Sequence, residues 1–278
     1  IAIGRSARVA NAATYGIAQG DGAFARQAND IAIGRDASTN AGSSGNNIAM
    51  GNGVATGATG QNVAIGSGAT TANSGTTAGG AVAIGRDQRA TGDGAVAIGD
   101  PNTANGNGAV ALGNSNTAAG DTAGTIGANG AVAIGNANSA IGQGSVALGN
   151  NSTASADGSL AFGDTADARG TRSIALGSFT RAIGPSSIAI GDTAAAELIN
   201  GIALGNNAKS IGPGGIAIGE FSEAHGESDV YIGGAAGTNG QLGNYRNTGV
   251  GERAGASVNG TNNTAIGGTA GNRVTGTA

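Results

Sequence analysis

The sequence predicts an all-β protein, a parallel β-roll or β-solenoid built from coils of about 14 residues. Three features lead to this prediction. A tetrad of the type Val-Ala-Ile-Gly recurs along the chain, its spacing is nearly constant, and glycine makes up 57 of the 278 residues. Glycine at this frequency disfavours helices, because each one costs about 1 kcal/mol in a helix interior. It also does not fall at every third position, as collagen requires.

The spacing of the tetrad sets the length of one coil. Its glycine recurs at every fourteenth position seven times in a row between Gly135 and Gly233, and no interval between tetrads is shorter. The longer intervals contain extra Ser, Thr, Asn and Gly residues, which is typical of loops inserted into a repeated coil. The predicted loops are residues 40–47, 72–79 and 114–125.

Each coil contains two predicted strands. The tetrad forms the first strand and an Ala-x-Ala segment forms the second. Each strand ends in a turn that carries Gly, Asn or Asp, which are the residues that best accept a positive φ. The first strands of successive coils are then expected to pair in parallel, about 4.8 Å apart.

The tetrad strand is apolar on both of its faces. Side chains alternate across a strand, so its two large residues share one face and its alanine occupies the other. In a single chain one of these apolar faces would meet water, where Ser, Thr or Lys is expected. Because a continuous apolar stripe of this size marks an interface, we expect a homo-oligomer around the long axis of the coils, most simply a cyclic one.

The interface prediction rests on a column of alanines and on isoleucines at outward positions of the second strand. The residues predicted to form the interface or the core are Ala97, Ala133, Ala147, Ala175, Ala189, Ala203, Ala217, Ile141, Ile183 and Ile211. In this interpretation the alanine column lies on the face that a neighbouring subunit covers. The alternative is that residues as small as alanine tolerate exposure to water.

The repeat Asn-or-Gly-x-Val-Ala-Ile-Gly-x-x-Ala-x-Ala-x-Gly resembles the head repeat of YadA-type trimeric autotransporter adhesins of Gram-negative bacteria. The resemblance covers residues 1–233, and its best copies are residues 94–106, 130–142 and 144–156. It implies a left-handed roll, intertwined as a homotrimer, in the passenger domain of an outer-membrane virulence protein exposed at the bacterial cell surface. The chain would then be the head alone, without direct insertion into the membrane.

A second repeat class begins after about residue 234. Residues 247–255 recur sixteen residues later as residues 263–271, with the pattern Asn-Thr-x-x-Gly-x-x-Ala-Gly. This pattern is similar to repeats of other adhesin heads and of some phage tail fibre proteins. We therefore predict head repeats over 1–233, a junction over 234–246 and a second repeat class over 247–278.

The composition argues against catalysis and against bound cofactors. The chain has no cysteine and one histidine, His225, so a His-based or thiolate metal site and a Cys-His pair cannot form within one chain. A Ser-His-Asp site stays open in principle, but His225 occupies a repeat position that Arg169, Ile183 and Ile211 fill in other coils. No calcium-binding nonapeptide is present. We predict no enzyme activity, no metal and no cofactor.

The charge argues against nucleic acid as a partner. The net charge is -4 and the isoelectric point is about 4.9. A protein that binds nucleic acid needs a basic stripe to displace counterions from the phosphates. Arginines near the start of the chain make that region only mildly basic, and we predict no nucleic-acid partner.

The predicted function is that of an adhesin head. Weak contacts repeated along a stiff surface, present in three copies, would bind an extracellular-matrix protein or an abiotic surface through avidity, and would also promote aggregation between cells. The expected partners are further copies of the chain and a host matrix protein or surface. The competing hypothesis is a spacer rod, in a bacterial surface protein or a phage fibre, that has no ligand of its own.

Candidate ligand contacts come from turns and loops, since inserted loops collect on exposed surfaces. Phe179 and Phe221 occupy the same turn position three coils apart. Packing of these rings against a neighbouring subunit is the alternative to ligand contact. The further candidates, in or beside the inserted loops, are Asn73, Ser74, Thr76, Asn116 and Thr122.

Overall fold

Short β-strands joined by tight turns make up the protein. The computed structural model describes residues 1–11, 13–40, 42, 45–68 and 70–276. Within these ranges there is no helix, and so none that is long and apolar enough to cross a membrane. The strands build a parallel β-solenoid of about 19 turns with coils of about 14 residues, which confirms the predicted all-β solenoid.

The chain divides into two compact units, unit 1 over residues 1–144 and unit 2 over residues 145–278. In both units each regular coil contributes one strand to a tetrad sheet, formed by the Val-Ala-Ile segments. Each regular coil contributes one further strand to a second sheet, which the Ala-x-Ala segments form. The division predicted after residues 233 and 246 stays a prediction.

In unit 1 the coils stack in register, so that Ala83 lies beside Ala97, and Ala97 beside Ala111. Ser38 bridges Phe24 and Ala55 and so continues the second sheet between two strand pairs. The tetrad strands are Ala2–Ile3, Ile17–Gln19, Ile31–Ile33, Ile48–Asn52, Val63–Ser67, Val82–Arg86, Val96–Asp100, Val110–Asn114 and Val132–Asn136. The second-sheet strands are Arg8–Val9, Phe24–Ala25, Ala55–Thr56, Thr71–Asn73, Arg89–Thr91, Thr103–Asn105, Thr117–Ala118 and Ser139–Ala140.

Unit 2 repeats this arrangement. Its last two tetrad strands belong to the second repeat class and continue the same parallel sheet, with Thr248 beside Val230 and Thr264 beside Thr248. The tetrad strands are Val146–Asn150, Leu160–Asp164, Ile174–Leu176, Ile188–Ile190, Ile202–Leu204, Ile216–Ile218, Val230–Ile232, Thr248–Val250 and Thr264–Ile266. The second-sheet strands are Thr153–Ala154, Asp167–Ala168, Arg181–Ala182, Ala195–Ala196, Lys209–Ser210 and Glu223–Ala224.

A left-handed backbone conformation recurs at every seventh position in unit 2. The φ angle is 57° at Thr165, 58° at Arg172, 51° at Phe179, 56° at Ser186 and 57° at Thr193. Each regular coil is therefore made of two similar halves, and each half is a strand followed by a turn with one left-handed residue.

The tetrad glycine is required by the close approach of neighbouring coils. Gly99 has a φ of 127°, and a Cβ at this position would collide with the backbone carbonyl of Gly113 in the next coil. A side chain here would strain the backbone and push the coils apart. This contact explains why the tetrad ends in glycine in every regular coil.

The alanine of the tetrad points into the coil. Ala97 and Ala147 have no exposed surface, whereas the adjacent Val96 and Val146 are half-buried. Equally buried are Ala133, Ala175, Ala189, Ala203 and Ala217. The interpretation that put the alanine column on the outer face is therefore wrong. Short turns hold the two sheets so close together that only small side chains fit between them.

The larger residues of the tetrad face outward instead. Several of them keep 36% to 45% of their surface exposed in the single chain, namely Met50, Leu112, Phe162, Leu176, Leu204 and Ile232. The apolar stripe expected from the sequence therefore exists on the tetrad sheet, but Val, Ile, Leu, Met and Phe form it rather than alanine.

Buried amides connect the coils inside unit 1. Gln88, Asn102, Asn116 and Asn138 form this amide ladder, in which the Nδ2 atoms of Asn102 and Asn116 donate to the preceding amide oxygens at 3.1 and 3.0 Å. The Nδ2 atom of Asn138 donates to Oδ1 of Asn116 at 3.0 Å. Asn116 also donates to the carbonyl oxygen of Gly135 at 2.7 Å. Buried amides are tolerated here because they are hydrogen-bonded.

Tyr231 takes the alanine position where the repeat class changes in unit 2. Its side chain is buried, with 1% exposed surface. Gly237, Gly249 and Gly255 lie against the ring, and a Cβ at any of them would collide with ring atoms. Three glycines thus provide the space that one aromatic ring needs. Burial raises the pKa of the Tyr231 hydroxyl.

Candidate ligand-binding surface

Two phenylalanine rings lie on one turn edge of unit 2. Phe179 and Phe221 each follow the tetrad glycine by two residues, and their φ angles are 51° and 56°. A left-handed backbone costs a residue with a side chain about 1 to 2 kcal/mol. The rings are also 55% and 51% exposed. Backbone strain and exposed apolar surface at the same residue are typical of functional positions.

The fold does not require phenylalanine at this turn position. In three other coils of unit 2 it is occupied by Thr165, Thr193 and Asn207, whose φ angles are 57°, 57° and 54°. The backbone conformation is therefore independent of the side chain. Phe179 and Phe221 are three coils apart, on the order of 14 Å along the stack.

A notch opens beside Phe179 on the outer face of the second sheet. It has a volume of about 380 Å³, and its lining includes Phe179, Arg181, Ala195, Lys209 and Ile211. Ala195 lies between Arg181 and Lys209 in the sheet register. The small methyl group between two long side chains leaves room for a side chain of another molecule, with apolar and charged groups at its rim.

Charges on this outer face are paired. Arg181 contacts Glu197 at 3.3 Å and Lys209 contacts Glu223 at 3.1 Å. The Nε2 atom of His225 lies 3.6 Å from the same Glu223 carboxylate. The Arg181–Glu197 pair, which is partly exposed to water, contributes at most about 1 kcal/mol to stability. The main effect of these pairs is to leave this face of unit 2 nearly neutral.

A shallow depression lies beside Phe221. Its lining includes Glu220, Phe221, Glu252 and Arg253. The ring is thus next to charged groups of both signs, as Phe179 is. The two phenylalanines therefore present the same combination of aromatic and charged surface at two heights of unit 2.

The isoleucines predicted for the interface lie on the outer face of the second sheet. Ile141, Ile183 and Ile211 are half-buried in the single chain. Ile211 lines the notch beside Phe179. The second sheet and the tetrad sheet thus have different outer faces, since the former mixes apolar and charged residues and the latter is mainly apolar.

The structure separates the candidate loop residues into two groups. Thr76 and Thr122 are exposed and Asn73 is half-buried. Ser74 and Asn116 are each 1% exposed, so they cannot reach a ligand at the surface, and their prediction as ligand contacts is corrected. The sequence cannot show this difference, because loop and strand positions here share the same polar residue types.

Two of the inserted loops are held by aspartates. The backbone N and the hydroxyl of Thr76 donate to Asp93, each at 2.8 Å. In the next loop the backbone N of Thr125 donates to Asp121 at 2.6 Å, and the Thr125 hydroxyl also donates to this carboxylate. Each hydroxyl holds the pKa of its carboxyl below the usual range. The predicted loop 40–47 includes residues 41, 43 and 44, which lie outside the described residues.

Sequence analysis missed three exposed apolar residues at turns. Leu198 and Ile199 are 44% and 50% exposed, and Ile126 is 60% exposed. The sequence does mark the first two, because Ile199 stands at the turn position that Pro185 and Pro213 occupy in the neighbouring coils. An apolar pair is unusual in such a turn. These residues extend the apolar surface to other edges of the coils.

The acidic side chains and His225 are dispersed over the described residues. No group of three His, Cys, Asp or Glu side chains among them could hold a metal ion. His225 lies beside the Glu223 carboxylate on the outer face of the second sheet.

A comparison with protein families identifies the class more closely. The YadA head domain repeat, as a two-copy unit, matches residues 12–37, 90–123, 127–152, 140–166, 154–180 and 182–208. These segments cover just over half of the chain, so the chain belongs to the YadA head repeat family. Family membership implies a surface-exposed, adhesin-type protein and a structural rather than enzymatic fold. Among curated proteins no match was found.

Proposed function

We propose that this chain is the head of a homotrimeric adhesin, carried as an outer-membrane passenger domain, and that it binds a host matrix protein or an abiotic surface. The apolar outer face of the tetrad sheet supports the trimer, because Leu112, Phe162 and Leu204 would leave water there. Burial contributes about 25 cal/mol per Å² of apolar surface. The second sheet then faces outward, towards the ligand.

Avidity supplies the strength of binding in this proposal. Phe179 and Phe221 offer two similar contacts per chain, and a trimer offers six. Each contact alone is weak, but contacts fixed on one stiff scaffold raise the effective concentration of the next. The same gain in effective concentration would strengthen aggregation between cells that carry the protein.

The observation that carries the proposal is the position of these two rings. A bulky residue in a left-handed turn is strained and exposed, while Asn207 adopts the equivalent conformation at a lower cost because asparagine accepts it more readily. Stability therefore does not account for phenylalanine at these positions. Recognition of a partner is the reason that we propose for them, and packing of the rings against a neighbouring subunit is the alternative.

The test replaces both rings by the residue that the fold prefers. We expect the double variant Phe179→Asn, Phe221→Asn to lose adhesion to immobilised collagen, laminin, fibronectin or polystyrene by at least tenfold, while its thermal midpoint stays equal or rises. The matched control is Thr165→Asn, which changes the same turn position in a coil that does not line the notch and should leave adhesion unchanged. Full adhesion of the phenylalanine variant would refute the assignment of this edge.

The trimer has its own test. Light scattering of the folded chain should give three times 25.9 kDa, and Leu176→Asp with Leu204→Asp should lower this mass. If the mass is that of a trimer and no surface or matrix protein is bound by the unaltered chain, the spacer rod is the better description. A folded monomer would remove the avidity argument.

A further inference from the structure

A second surface, on unit 1, has a different chemistry from the edge of Phe179 and Phe221. Its centre is the ring of Phe24, with the guanidinium carbon of Arg8 at 4.4 Å and that of Arg26 at 4.3 Å from the ring centroid. Arg8 and Phe24 are direct neighbours in the second sheet. Both guanidinium groups are therefore held by cation–π contact at the outer side of this sheet.

The two arginines have no counterion among the residues that the structure describes. Within that part of the chain, neither Arg8 nor Arg26 forms an ion pair, whereas Arg5 is paired with Asp21 at 2.7 Å. The two guanidinium carbons lie within about 9 Å of each other, since both contact one ring. Two like charges at this separation favour binding of an anion between them or across them.

The rest of this face of unit 1 also carries more positive than negative groups. The strand register places Arg89 in the same column as Phe24, through Ser38, Ala55 and Thr71. Arg89 donates to the carbonyl oxygen of Gly124 at 2.9 Å and, within the described residues, has no carboxylate partner. The second-sheet strands of unit 1 contain no Asp or Glu in the described ranges. The face is positive although the chain carries a net charge of -4.

Between the arginines the surface is lined with hydroxyl and amide groups. Thr71, Asn73 and Thr91 lie at outward positions of their strands and are half-buried. Such groups hydrogen-bond to sugar hydroxyls, while guanidinium groups form paired hydrogen bonds with sulfate or carboxylate groups. The Phe24 ring is covered by guanidinium groups, so a nucleic-acid base cannot use it as a stacking platform, and three arginines are too few to follow a phosphate backbone.

We propose that this face of unit 1 binds a sulfated polysaccharide. Arg8 and Arg26 contact one sulfate or carboxylate group, and Arg89 contacts another further along the polymer, four coils from Phe24 or roughly 19 Å away. Phe24 positions the two guanidinium groups. This site goes beyond the proposed contact edge of unit 2 and does not share a residue with it.

The test measures binding of the full chain to a heparin oligosaccharide of defined length. We expect the double variant Arg8→Gln, Arg26→Gln to weaken heparin binding by more than tenfold. The single variant Arg26→Gln should weaken it by about threefold. Both should lower the salt dependence of heparin binding. The matched control is Arg86→Gln with Arg169→Gln, two arginines that lie outside this face and are paired with carboxylates. The control should bind within twofold of the unaltered chain.

Several results would overturn the proposal. These are absence of heparin binding by the unaltered chain, an equal loss in the control variant, equal binding of desulfated heparin, or equal binding of duplex DNA of the same charge. Circular dichroism and the thermal midpoint establish that each variant is folded. The variant Phe179→Asn, Phe221→Asn should retain heparin binding. The experiment therefore distinguishes a wrong assignment of the contact edge in unit 2 from a wrong assignment of this site in unit 1.

Discussion

The interiors of the two units solve the same packing problem with different residues. In the last four coils of unit 1 the position three residues after the tetrad glycine holds the amide ladder, whose members bond to one another across coils, whereas Ala23, Ala37 and Val54 occupy it in earlier coils. In unit 2 the same position holds small residues, namely Ser152, Ala166, Thr180, Ala194, Ala208 and Ser222. Both sets of coils keep the same register. The backbone and its turns therefore define the coil, and the amides add connections between coils.

The largest effect that tests this comparison is expected at the centre of the ladder. Asn116→Ala should lower the free energy of unfolding by about 3 kcal/mol, because it removes the bonds from its Nδ2 to Asn102 and to the Gly135 carbonyl, and the acceptor of the buried Asn138 backbone N. Denaturant unfolding followed by circular dichroism measures the change. A loss below about 1 kcal/mol, the net value of one ordinary hydrogen bond, would show that the ladder is not a connection between coils.

A smaller effect is expected in unit 2. The hydroxyl of Thr180 donates to the carbonyl oxygen of Gly191 at 2.6 Å, and Thr180→Ala should cost about 1 kcal/mol by the same measurement. Ala166→Ser, at the equivalent position one coil earlier, serves as the control and should not destabilise the chain. If Thr180→Ala costs as much as Asn116→Ala, the two interiors do not differ as described.

An amide introduced into unit 2 sharpens the comparison further. Ala194→Asn should change the free energy of unfolding by less than about 1 kcal/mol, because its Nδ2 can reach the carbonyl of Gly205 as Asn102 reaches that of Gly113. Hydrogen exchange of the amides in this coil provides a local readout. A loss of more than about 2 kcal/mol, typical of an overpacked core, would mean that unit 2 is too narrow for an amide and that its small residues are obligatory.

The units also differ in their response to pH. In unit 1 the pKa values of Asp93 and Asp121 are lowered, so the stability they contribute is present at neutral pH and is lost as the pH falls through the lowered pKa values. In unit 2 burial raises the pKa of Asp229. This group therefore stabilises the fold most below its unfolded pKa, and its contribution declines as the pH rises through its folded pKa.

The pH prediction is checked with single variants of each carboxyl group. Between pH 3 and pH 6, Asp229→Asn should reduce the decline of stability in unit 2 as the pH rises, while Asp93→Asn should reduce the gain in unit 1. Hydrogen exchange resolved along the chain separates the two units. A shift of the same sign in both variants would contradict these assignments.

The sequence was sufficient to predict the parallel coils, because the register is written in the repeat itself. Ala83 lies beside Ala97 because both occupy the same position of the repeat, after a β-branched residue and before Ile-Gly. The direction of the faces was not predictable in this way. Alternation places alanine and valine on opposite sides of a strand, but only the distance between the two sheets decides which residue fits inside.

The binding surfaces show a similar limit. Phe179 and Phe221 could be found because they break a repeat position otherwise filled by small or polar residues. Asn116 and Thr122 come from one polar stretch, yet one is buried and the other exposed. The contact of Arg8 and Arg26 with Phe24 joins residues from two coils, and no local pattern marks it.

The left-handed turn at every seventh position places equivalent residues of unit 2 at regular intervals. Since each coil closes with the same turn geometry, one coil can be added or removed as a block of one repeat length without altering the stacking of its neighbours. Removal of residues 191–204, between Phe179 and Phe221, would shorten the distance between the rings by about one step of roughly 4.8 Å and leave each ring in its own turn. The spacing between two contact points is thus adjustable in fixed increments, independently of the contacts themselves.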